Sequence, residues 1–206
     1  AFSAVAEGLR ARGLRPGDRV LLVYPPSLDF VVAFGGCLWA GVLPVPAYPP
    51  QPGSEADLER LRKLADTVDA GLALTSRRFR WLLRLGGLAR WARGGSRTTD
   101  LDWWVLDPDT TAAPTPPTPR HADDDAFLQF TSGSTSFPKG VRITHGNLIH
   151  QLEFNRRALH LGPDSRAVLW VPQYHDLGLI SGILSALWGN GMAWFMSPLA
   201  FLRDPG

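Results

Sequence analysis

A single cysteine stands among 206 residues, so no disulfide can form within the chain. Cys37 sits in an apolar run with Phe34, Leu38 and Trp39, which marks it as a small core residue and not a nucleophile. No apolar run reaches about 18 residues, the length a spanning helix requires. No signal-peptide pattern opens the chain, so the expectation is a cytoplasmic protein without a membrane span. Neither sign of charge dominates: the formal net charge is +2, which dictates no partner. The histidines lack metal spacing, since His145 and His150 are five apart and no second cysteine is present, so no metal ligand set is expected. G-x-S-x-G is absent too, which removes a hydrolase elbow. There is no initiating methionine, and residues 1–9 read as the late part of a helix. The other end stops at Asp204-Pro205-Gly206 before any cap, so the chain is expected to be a piece of a longer protein.

What is present can build a core. Hydrophobic residues make up 45%, with eight tryptophans and ten phenylalanines concentrating apolar area in few positions. Strands are expected at 19–24, 42–45, 72–75 and near 103–106. Helices fall between them: one with Ser27 as N-cap and Gly41 closing it, one opened by a Ser54–Asp57 capping box, and one over 76–93. Leu58, Leu61, Ala65 and Val68 share a face of the second. Residues 44–52, rich in proline, read as a stiff connection. Alternating β and α units predict parallel strands covered by helices, an α/β fold. Residues 107–119 form an aperiodic Pro/Thr stretch that divides the chain. The expected parts are 1–113, a linker over 114–122, and 123–206. In the last part a helix over 147–159, a strand over 167–171, a helix over 179–188 and a strand over 192–195 are expected.

The densest chemical signal is Thr131-Ser132-Gly133-Ser134-Thr135-Ser136-Phe137-Pro138-Lys139-Gly140, directly after an apolar strand. A phosphate chain needs many donors at close range and one mobile cation. Small side chains let backbone N–H groups approach the oxygens, and Lys139 supplies a point charge. The commoner nucleotide loop, G-x-x-x-x-G-K-[ST], does not fit, because Pro138 and Gly140 occupy its key positions. Val141-Arg142-Ile143-Thr144 reads as a strand, so the loop lies between two strands with no helix beneath it.

Residues 131–140 resemble the phosphate loop of the adenylate-forming superfamily: acyl-CoA synthetases, peptide-synthetase adenylation domains and luciferases. The match runs on through Thr144-His145-Gly146-Asn147-Leu148 and departs at Ser136, where the family usually has Gly. A second segment, Trp170-Val171-Pro172-Gln173-Tyr174-His175-Asp176-Leu177-Gly178-Leu179-Ile180, resembles the signature of long-chain fatty-acyl-AMP ligases. So do Tyr24-Pro25-Pro26-Ser27-Leu28-Asp29-Phe30, Gly41-Val42-Leu43-Pro44-Val45-Pro46 and residues 196–205. The resemblance implies part of the large N-terminal domain of such an enzyme, with mainly parallel sheets flanked by helices. It implies activation of a fatty acid by ATP to acyl-adenylate and pyrophosphate, then transfer to an acyl carrier protein. The rivals are an acyl-CoA synthetase and a non-catalytic piece.

By the same resemblance, Thr131, Ser132, Gly133, Ser134, Thr135, Lys139 and Gly140 bind the nucleotide's phosphates. Tyr174, His175 and Gly178 line the substrate, with His175 orienting the carboxylate or the α-phosphate and Gly178 allowing close ligand approach. A second reading of His175 remains open: a structural residue that caps the following helix with Asp176. The family's Mg²⁺ Glu, ribose Asp and catalytic Lys fall in motifs beyond residue 206, so this chain alone is expected to be inactive.

One further stretch is unusual. Between Gly71 and Thr99 there are seven arginines (77, 78, 80, 84, 90, 93 and 97) and no Asp or Glu. No RNA- or DNA-binding motif accompanies them, so nucleic acid is not expected as a partner. A solvated helix face and a docking face for an acidic carrier domain are the two readings.

Overall fold

A computed structural model describes residues 1–91, 101–106, 115–131 and 139–203. Helix α1 (Phe2–Ala11) leads into β1 (Arg19–Val23), α2 (Leu28–Ala40), β2 (Leu43–Ala47), α3 (Glu55–Val68), β3 (Leu72–Thr75), α4 (Arg77–Trp91) and β4 (Asp102–Val105). The four strands form one parallel sheet in the order β2-β1-β3-β4. Both faces are covered, which is why β1 and β3 are apolar at nearly every position. Val20, Leu22 and Leu74 face α1 and α2, while Leu21, Val23 and Ala73 face the side of α3 and Phe79 from α4. Burial pushes the Cys37 thiol well above its usual range, as suits a core residue.

Several boundaries move for physical reasons. The expected stiff connection at 44–52 begins as strand: Pro44 and Pro46 lie in β2, an edge strand, where a missing N–H on the outer side costs no ladder bond. Gly41 closes α2 in the left-handed region at φ 73°, as its position predicted. Ser27 precedes α2 but makes no side-chain cap bond. Ser54 caps α3 by accepting from the Asp57 N–H at 3.2 Å, yet the box is one-armed. The Asp57 carboxylate instead accepts from the Gln51 N–H and from Arg60.

Beyond the Pro/Thr stretch, β5 (Asp125–Phe130) and β6 (Gly140–Thr144) pair antiparallel, departing from the parallel rule of the first sheet. Helix α5 (His145–Ala158) starts two residues earlier than expected. Thr144 and Asn147 form a complete capping box, which sets this earlier start. β7 (Arg166–Leu169) and β8 (Met192–Phe195) pair in parallel. The expected helix over 179–188 is a π-helix at Leu177–Leu184 followed by the short turn α6 (Ser185–Trp188), and an unforeseen α7 (Pro198–Arg203) follows β8. The Ser185 hydroxyl donates to the Ile180 carbonyl five residues back and accepts from Asn155, itself buried on α5. That buried polar link coincides with the change from π to α winding.

The core does not stop at the Pro/Thr stretch. Phe127 of β5, Leu148 and Leu152 of α5, and Leu179 and Ile183 of the π-helix join the cluster built on α1, α2 and β1. A file of rings crosses it: Tyr24–Phe30 at 6.2 Å, Phe30–Phe34 at 6.0 Å and Phe34–Phe127 at 5.4 Å. Thr118 and Arg120 bind the end of α2 through the carbonyls of Ala40 and Gly41, and the Trp39 indole donates to the Thr115 carbonyl at 2.8 Å. Residues 115–120 are thus strapped to the first sheet's helices.

Candidate functional site

Three segments that leave strands at their carboxyl ends converge, residues 24–27 after β1, Tyr48 after β2 and the second motif after β7, and Gln129 near the end of β5 meets the last of them. Ligands of open α/β sheets bind at such ends. Gln173 is the junction. It is 3% exposed, accepts from the Ser27 N–H at 3.0 Å, and donates to the Pro25 and Tyr24 carbonyls at 2.8 and 3.3 Å. Gln129, also buried, donates from β5 to the Tyr174 carbonyl at 2.9 Å. Neither glutamine was singled out from sequence. Their one signal was a polar side chain within an apolar strand or motif, and partners far along the chain are invisible there.

Tyr174 packs edge-on against Tyr48 with ring centroids 5.0 Å apart. Burial, reinforced by Tyr48, pushes its phenol up to about 12. His175 is more than half exposed, and its Nδ1 lies 2.5 Å from Asp176 Oδ1. Asp176 also accepts from the Leu177 N–H at 2.7 Å, capping the π-helix. The Leu177 N–H also reaches His175 Nδ1 at 3.4 Å, so this ring nitrogen faces the start of the π-helix. The capping contacts are therefore present, on a ring that stays more than half exposed. Gly178 does allow a close approach, but the partner here is the chain itself: a Cβ would collide with the carbonyls of Pro172 and Val171.

At the hairpin, the Thr131 N–H donates to the Lys139 carbonyl at 3.1 Å, and the Thr131 hydroxyl reaches the same oxygen at 3.5 Å. Thr131 and Lys139 thus stand opposite each other at the neck, each exposed. Among the described residues no carboxylate pairs with the Lys139 ammonium. Gly140 is required by packing, since a Cβ would lie 2.8 Å from the Phe130 ring. Ser132, Gly133, Ser134 and Thr135 lie outside the described residues. The structure brings the neck and the second motif together, because Gln129, two residues before Thr131, holds Tyr174 directly.

A family model for AMP-binding enzymes matches residues 1–206. The chain belongs to that family. Its relatives include the medium-chain-fatty-acid–[acyl-carrier-protein] ligase JamA of Moorena producens, 35% identical over 198 residues. That alignment takes in 91% of this chain and 32% of JamA. The long-chain-fatty-acid–AMP ligase FadD32 of Mycolicibacterium smegmatis is 37% identical over 210 residues, covering 99% of this chain and 32% of the relative. Among solved structures, a fatty acyl-adenylate ligase from L. pneumophila in complex with acyl adenylate and pyrophosphate superposes with a TM-score of 0.83. It is 32% identical, over 99% of this chain and 34% of that one. The chain thus spans about a third of the length of these AMP-binding relatives. The α/β architecture, with parallel strands flanked by helices, is that of the N-terminal region of adenylate-forming enzymes. Among the described residues no helix is long and apolar enough to cross a membrane, and no three His, Cys, Asp or Glu gather as a metal site.

Proposed function

We propose that the polypeptide carrying this chain activates a fatty acid with ATP and passes the acyl group to an acyl carrier protein. The observation that carries this is the meeting of β5, which leads to the hairpin neck, with the second motif through Gln129, and of that motif with the segment after β1 through Gln173, at the carboxyl ends of the strands. In the reaction a carboxylate oxygen attacks the α-phosphorus. The bond from that phosphorus to the bridging oxygen breaks, and pyrophosphate leaves with the electron pair. The leaving group needs positive charge and donors. Lys139, held at the neck with no carboxylate on it among the described residues, meets the first need. The hydroxyls of Thr131, Ser132, Ser134 and Thr135, with the backbone at Gly133, meet the second. His175 orients the acid or the α-phosphate, with Asp176 beside its Nδ1.

Mg²⁺ would shield the triphosphate when bound. Among the described residues no three His, Cys, Asp or Glu gather to hold it. The fatty-acid substrate is supported by the names of FadD32 and JamA, and the carrier acceptor by that of JamA. Residues 1–206 alone should not turn over.

The test is ATP–pyrophosphate exchange with dodecanoic acid by the intact polypeptide and its Lys139→Ala variant. Exchange should fall about tenfold or more, on the order of 1.4 kcal/mol of transition-state stabilisation. Unchanged exchange would remove the loop from the chemistry.

A further inference from the structure

The arginine-rich helix α4 is amphipathic in an unusual sense. Its inner side is set by Phe79, which is buried, by Leu83, and by Gly86, where a Cβ would lie 2.6 Å from the Gly53 backbone. The opposite side carries Arg78, Trp81, Arg84 and Leu85. Positions 78, 81 and 85 follow i, i+3, i+7 spacing, and Arg84 stands one turn from Trp81. Trp81 is 59% exposed and Leu85 43%.

Two features separate this face from an ordinary solvated one. First, solvated helices usually interleave charges, as α3 does with its Arg60–Asp57 and Arg62–Glu59 pairs. On α4 there is no acid at all, and among the described residues no carboxylate pairs with Arg78 or Arg84. Second, a large aromatic and a leucine stand outward among the cations, the composition of a contact centre and not of a solubilising surface. Arg80 belongs elsewhere: it lies over the Trp103 ring at 5.4 Å, and burial lowers its basicity.

We propose that this outer face of α4 docks an acyl carrier protein. The partner would present a helix with carboxylates one turn apart for Arg78 and Arg84, and a small apolar residue between them against Trp81. The proposal rests on the carrier protein being the acceptor, as proposed above. Charge complementarity selects the partner. Unpaired guanidiniums attract an acidic surface at long range and set its register, while Trp81 and Leu85 supply the desolvated contact.

The test uses the intact polypeptide, a fluorescently labelled holo acyl carrier protein, and the double variant Arg78→Glu/Arg84→Glu. Anisotropy titration needs no turnover, so it is independent of the adenylation assay, which tests the proposed chemistry separately. The expected result is about a tenfold or greater loss of carrier affinity with ATP–pyrophosphate exchange unchanged. Wild-type binding should weaken steeply with salt, and the variant's should not. A carrier with two Glu→Lys changes on its docking helix should recover affinity for the reversed face, which no folding defect can mimic. Should the Glu variant not fold, Arg78→Gln/Arg84→Gln decides, with an expected loss of about threefold or more. Wild-type affinity in these variants overturns the proposal. So does absence of carrier binding by the unaltered protein, or binding of a short single-stranded RNA in the carrier's place.

Discussion

The four-stranded sheet and the β7–β8 pair are both parallel and both apolar, yet they stand in opposite relations to water. In β1, Val20, Leu21, Leu22 and Val23 are fully buried, because helices cover both faces of their sheet. In β7 and β8, within residues 1–206, Val168, Met192 and Trp194 are each at least half exposed, and among the described residues the packing lies on the other side, with Leu169 against Gly182 of the π-helix. Similar composition therefore buys very different stability. A strand contributes through what covers it, and its own propensity is secondary. The candidate site lies where these two regions meet, held by Gln173 from the less covered region on carbonyls of the more covered one.

The comparison breaks most visibly in the core. Leu22→Ala should cost about 2–5 kcal/mol, whereas Val168→Ala on the exposed ribbon should stay within about 0.5 kcal/mol. Paired urea melts of the same polypeptide measure both, and equal losses would show the two strands to be equally covered. Next in size is the junction. Gln173→Ala strips partners from the Ser27 N–H and from the Tyr24 and Pro25 carbonyls, so a loss of about 1–3 kcal/mol is expected, read from the same melts. Adenylation should fall with it, because the second motif is no longer tied to the first sheet.

A smaller effect follows from Tyr174. Its folded-state phenol is raised to about 12 against an ordinary 10.0, so folding favours the neutral form. That contribution is fully present below pH 10 and is lost as the pH climbs towards 12. Thermal melts across this window should show a shallower decline in Tyr174→Phe than in the unaltered protein, and parallel declines would remove Tyr174 as a cause. The smallest change in stability is expected at His175, whose side chain is more than half exposed. His175→Ala should leave the melting temperature nearly unchanged while lowering ATP–pyrophosphate exchange. A large drop in melting temperature with normal turnover per folded molecule would instead support capping as its whole role.

Much of this was legible along the chain. Apolar runs marked β1 and β3, a glycine marked the end of α2, and β8 fell where its run predicted, because each depends on neighbours within a few residues. The π-helix was not legible, since its winding accompanies a bond between Ser185 and Asn155, which are 30 residues apart. Nor was the purpose of Gly178, whose space is filled by the backbone of the preceding motif.

By itself, then, the sequence determined the order of strands and helices, the hydroxyl-rich loop with its lysine, and the family resemblance carried by short motifs. All of these are encoded in local pattern and residue type. Only the tertiary structure decided that Gln129 ties β5 to the second motif and Gln173 ties that motif to the segment after β1, that β5 and β6 run antiparallel, and that α4 turns Arg78, Trp81 and Arg84 outward. The reason is the same in each case: a buried polar group finds its partner, and a helix its inner face, across distances in sequence that no local pattern spans.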